Sequence, residues 1–82
     1  MSEPAIREAI LAQAAARGAE KSICPSDVAR ALAPDQWRSL MTRVRREAIL
    51  LAREGRIDIL RKGRPVDPAE EIRGVIRLRI RP

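Results

Sequence analysis

The 82-residue sequence predicts an α+β domain with its helices first and its strands last. Three observations carry that expectation. Apolar residues recur at helical spacing as far as Leu51. The spacing then switches to every second residue in "RIDIL" and "VIRLRI". Glycine and proline cluster at the borders between these stretches. A chain of this length forms one domain, residues 1–82, and buries only about 60–65% of its unfolded surface. Apolar residues make up 45% of it, and Trp37 is its single aromatic residue, so the core must be built from Ile, Leu, Val and Ala.

Residues 2–17 read as the first helix. Ser2 supplies the N-cap, Pro4 lies where its missing N–H costs little, and Gly18 is the stop. Ile6, Ile10 and Ala14 repeat every fourth residue, with Ala9 and Leu11 widening the stripe. Ile23 forms a short extended stub. Cys24 precedes a proline and so avoids helical geometry. Pro25, Ser26 and Asp27 then open a second helix, whose apolar side is Val28, Ala31 and Leu32.

From Gln36 to Glu54 there is neither glycine nor proline. Trp37, Met41, Val44, Ala48 and Leu51 share a face. The pattern fits one long helix, or two with a break at Thr42, giving three or four helices in all. Ile57 and Ile59, and then Ile76, Leu78 and Ile80, alternate with polar residues as half-buried strands do. The segment "RKGRPVDPAEEIRG" between them reads as too long for a tight hairpin. Helices followed by a two-stranded antiparallel hairpin, with a third short strand allowed at Ile23, is the chain order of a winged helix-turn-helix. Two strands alone are marginal, so the hairpin needs the helices and the helices need a lid.

The net charge is +6. Eight basic and four acidic residues lie between positions 56 and 82, a net of +4, whereas the first twenty residues carry −1. A positive field concentrated in the C-terminal half suits an anionic partner, most often nucleic acid. One cysteine precludes an internal disulfide, the N-terminus is acidic rather than signal-like, and no apolar run approaches the about 20 residues of a membrane span. A cytoplasmic protein is expected.

The stretches "CPSDVARAL", "WRSLMTRVRREAILLAREGRIDI", "KGRPVDP" and "IRLRI" resemble a family of small bacterial proteins of unknown function assigned a winged-helix fold. The resemblance runs from about Cys24 to Ile80. It implies the fold and carries no activity with it, because winged helices serve as DNA binders and as protein-interaction modules alike.

Two basic clusters are the candidate sites. Arg38, Thr42, Arg45, Arg46 and Arg53 lie opposite the Trp37–Leu51 stripe, with Arg43 at its margin. Arginine on a helix in the major groove binds guanine O6 and N7 in a bidentate way, while the same pattern also describes a solvated helix surface. Arg61, Lys62 and Arg64 surround Gly63 as a wing that grips phosphates, and the acidic run Asp67, Glu70 and Glu71 confines any such contact to the first half of the segment. The predicted DNA-binding set is therefore Arg38, Thr42, Arg43, Arg45, Arg46, Arg61, Lys62 and Arg64.

Arg77, Arg79 and Arg81 follow from strand alternation, and Asp58 on the neighbouring strand is the expected partner for one of them. Ile49 and Leu50 sit outside the best-packed stripe, which suggests a competing role as a docking patch for a protein partner or a second copy. Cys24 at a helix start suggests a thiol sensor. With no histidine to act as its base, a small packed side chain is the better expectation. Trp37 is expected to pack in the core or an interface. No phosphate loop, catalytic triad, paired carboxylates or metal-ligand spacing is visible, so neither an enzyme nor a cofactor or metal protein is expected. Duplex DNA is the predicted partner.

Overall fold

A computed structural model describes residues 2–82. Helix α1 spans Glu3–Arg17, α2 Pro25–Leu32 and α3 Trp37–Arg53; strands follow at Ile57–Arg61 (β1), Arg64–Pro65 (β2) and Arg77–Ile80 (β3). The result is α+β, three helices with a three-stranded antiparallel sheet, compatible with a winged-helix arrangement.

The start of α1 is set by Ser2, whose Oγ accepts from the Ala5 N–H at 3.3 Å. Ile6, Ile10 and Ala14 form its buried stripe, as the spacing predicts. Helix α2 begins at the buried Pro25, and the Asp27 carboxylate accepts from the Cys24 N–H at 3.0 Å, satisfying a donor outside the helix. The face of α2 is rotated from its predicted position: Pro25, Val28 and Ala29 are buried while Ala31 is exposed. The rotation follows from Pro25, which packs inward and draws the next turn's Ala29 with it.

Residues 33–36 turn the chain into α3, which runs unbroken through Thr42, with every residue from Trp37 to Arg53 helical. Its buried side is Leu40, Val44, Glu47, Ala48, Leu51 and Ala52, so Trp37 and Met41 are only half-buried at the edge of the expected stripe. Ile49 is half-buried, packing in part against the core.

The sheet departs from the expected two-stranded hairpin. Its order is β2-β1-β3, because "RKGRP" makes a tight hairpin of its own, with Arg61 paired to Arg64. Lys62 (φ 51°) and Gly63 (φ 79°) are both left-handed, the geometry of a two-residue turn that matches strand twist. Pro65 is tolerated because β2 is an edge strand.

Strand β3 pairs with the other side of β1, in the register Ile57–Ile80, Asp58–Arg79, Ile59–Leu78 and Leu60–Arg77. The stub at Ile23 then bridges Leu78, the two residues exchanging both backbone hydrogen bonds at 2.8 Å. Ile57, Ile59, Ile76 and Leu78 join Ile6, Ile10, Val28, Val44 and Leu51 in a single core, all of them almost fully buried.

The strand arginines act locally. The Asp58 carboxylate accepts from Arg79 at 2.9 Å and lies 3.6 Å from Arg81, as cross-strand spacing predicts. Arg77 donates to the Ser22 hydroxyl at 2.7 Å and to the Ser22 carbonyl at 2.9 Å, pinning the stub beside it.

Candidate functional site

Helix α3 leaves Arg38, Ser39, Thr42, Arg46, Leu50 and Arg53 exposed, on the side facing away from the core. The segment from Val66 to Gly74 is tied to α3 at two points. Arg53 donates to the Pro68 carbonyl at 2.9 Å, and Arg45 donates to the Gly74 carbonyl at 3.1 Å. Gly74 is also where the hairpin reaches the helix: a β-carbon built there would lie 3.5 Å from the Arg61 guanidinium. Arg45 of α3 and Arg61 of the hairpin thus meet the same residue, which brings one arginine of each basic cluster together.

The predicted residues divide. Arg46, Arg61, Lys62 and Arg64 are exposed and form no ion pair among the described residues. Thr42 is exposed between Arg38 and Arg46. Arg45 is half-buried and held by Gly74, and Arg43 makes a 3.1 Å ion pair with Glu3 of α1. That pair belongs to a fringe where α1 meets α3. The backbone N–H at the helix start and the Arg43 side chain hold the Glu3 carboxyl below its ordinary value. Arg46 adds to the same field, so it stands within electrostatic reach of one acid.

A second seam between α1 and α3 was not visible in the sequence. Arg7 donates to both oxygens of Glu54, at 2.6 and 2.9 Å, and its guanidinium lies 3.8 Å from Glu47. These contacts lower the Glu54 pKa and raise that of Arg7. Glu47 is buried on the face that helical spacing reserves for apolar residues, and Arg7 is the cation that offsets its charge.

Trp37 packs against the core as expected, and it also holds Arg38. The Arg38 guanidinium lies over the Trp37 ring at 4.4 Å from its centroid, and Arg30 of α2 lies over the same ring at 4.3 Å. The indole is thus a platform for two cations where the helices meet, in addition to touching the core. Arg30 was missed because its partner lies across the turn, outside the periodicity of either helix.

On another part of the surface, Arg17, Ser22, Asp27 and Arg77 line a groove of about 420 Å³. Arg77 closes one edge of it through its two bonds to Ser22. Cys24 lies close by, half-buried, with its sulfur accepting from the Ser26 hydroxyl at 3.0 Å.

A family model for a protein of unknown function, DUF3253, matches residues 3–81. The chain belongs to the DUF3253 family. No curated protein matches it. The match spans all three helices and the whole sheet, so it covers both basic clusters as well as the core. No helix among the described residues is long and apolar enough to cross a membrane.

Proposed function

We propose that this DUF3253 protein is a winged-helix DNA-binding protein, with α3 in the major groove and the Arg61–Arg64 hairpin as a wing on the phosphates. The observation that supports this reading is the meeting of Arg45 and Arg61 at Gly74, which brings one arginine of the helix and one of the hairpin together. Thr42 and Arg46 project from the exposed side of α3 toward base edges; Arg61, Lys62 and Arg64 hold the backbone. Arg43 and Arg45 contribute field and help position the interface, since both already have partners within the protein. The free thiol of Cys24 suits a reducing compartment, and we place the protein in the cytoplasm.

A salt titration of duplex binding tests the reading. Four cations, Arg38, Arg61, Lys62 and Arg64, are available to phosphates; at about −0.9 per contact they give a log–log slope of about −3.6. The double variant Lys62→Ala/Arg64→Ala is expected to make the slope shallower by about 1.8. No retention on duplex DNA at low salt, or a slope indifferent to the wing, overturns the proposal.

The competing reading, a protein-interaction module or dimer formed through Ile49 and Leu50, has less support. Ile49 is half-buried against the core, and Leu50 is 38% exposed.

A further inference from the structure

The stack of Arg30, Trp37 and Arg38 lies where α2 meets α3, and only one of the two arginines falls within the predicted DNA-binding set. Three features of it point to an anion. The guanidinium carbons sit 4.3 and 4.4 Å from one ring centroid, so the two positive charges can be no farther apart than those distances combined. Both arginines are exposed, and neither forms an ion pair among the described residues. The nearby acids leave them so: the Asp27 carboxylate caps the Cys24 N–H, Asp35 in the turn makes no ion pair, and the first turn of α3 carries no acidic residue. Two planar cations ordered on an indole have already lost much of the side-chain freedom that binding would otherwise cost, while their outer N–H groups remain available as paired donors.

We propose that Arg30 and Arg38, stacked on Trp37, form a clamp on neighbouring phosphates of the duplex backbone. The inference rests on the DNA-binding reading and extends that interface onto α2. Arg38 is the shared member. It lies on the same side of α3 as Thr42 and Arg45, at helical spacings of four and seven residues. The clamp therefore continues the basic flank beyond the N-terminal end of α3, away from the wing. Its ligand is the phosphodiester, which carries no sequence information, so the clamp sets affinity and register and leaves discrimination to α3.

The chain holds one tryptophan and no tyrosine, so its indole emission reports on this stack alone. The experiment follows a labelled duplex by anisotropy at a series of salt concentrations, and Trp37 emission in parallel. Arg30→Gln is expected to weaken binding about eightfold at 0.1 M salt and to make the slope shallower by about 0.9, the effect of one released counterion. Arg30→Lys, which keeps the charge, restores the slope. Emission changes on saturation of the wild type and stays constant in Arg30→Gln/Arg38→Gln, which still binds through the wing. Circular dichroism confirms that each variant is folded, as expected for exchanges at exposed positions. If Arg30→Gln binds duplex with an unchanged slope, or wild-type emission is constant at saturation, the clamp is overturned and the major-groove reading stands. If the wild type does not bind duplex at all, both fall.

Discussion

Replacing Gly74 by alanine probes the junction on which the candidate interface depends. Gly74 has φ +80°, a conformation that L side chains rarely adopt. Left-handed backbone costs an alanine roughly 1–2 kcal/mol. The unfolded chain partly offsets this, because alanine has less conformational freedom to lose, worth about 0.4–1 kcal/mol. The new methyl adds little, since its nearest neighbour would be the flexible end of Arg61 at 3.5 Å, an ordinary contact distance. The net loss is about 1 kcal/mol, which in a domain of this size lowers the melting temperature by roughly 4–8 °C. Thermal unfolding followed by far-UV circular dichroism measures it. Gly74→Asn is the control, because asparagine tolerates left-handed backbone and should recover part of the loss. A melting temperature that is unchanged or raised in Gly74→Ala would refute the reasoning, since the chain would then not need a left-handed residue where helix and hairpin meet.

Two further outcomes follow from the core and its charged fringe. Leu78→Ala is expected to cost about 2–5 kcal/mol in denaturant unfolding, because Leu78 is fully buried between Ile59 and Ile23 in the sheet; a loss well under that range would place it outside the core. Acid is expected to weaken the packing of α1 on α3. The Glu3 and Glu54 carboxyls are held below the ordinary 4.5, the first by the helix-start N–H and Arg43, the second by Arg7. Their contribution is complete above that value and is lost as the pH falls below it, through the depressed folded-state values. Melting temperature against pH should therefore fall less steeply on the acid side in Glu54→Gln than in the wild type, and identical profiles would show that the pair contributes nothing.

Most of the architecture was legible because periodicity reports burial directly. Ser2, the Ile6–Ile10–Ala14 stripe, Pro25 at the head of α2 and the alternation of Ile76, Leu78 and Ile80 each carry their own local signal, and the structure bears them out. The Asp58–Arg79 pair was also foreseen, since strand alternation fixes which residues can meet. The β1–β2 hairpin is hard to read because Lys62-Gly63 is a weak turn signal beside Pro65, which reads as a loop residue unless the strand it sits on is known to be an edge. The burial of Glu47 could not be read from α3 alone, because its partner Arg7 is on α1. Arg30 escaped for the same reason: the ring it stacks on belongs to the next helix. Local patterns identified the elements and their inward faces. What a charged side chain does depended on contacts that only the assembled fold creates.

The bridge between Ile23 and Leu78 has a consequence for folding. Arg77 and Ser22, the neighbours that lock it, are 55 residues apart, so α1, which packs on α2 and α3, gains its remaining cover only when β3 arrives. Until then the apolar stripe of α1 would be covered on its helical side alone. Docking of β3 is thus a long-range closure between the two ends of the fold, the kind of contact that forms late in folding.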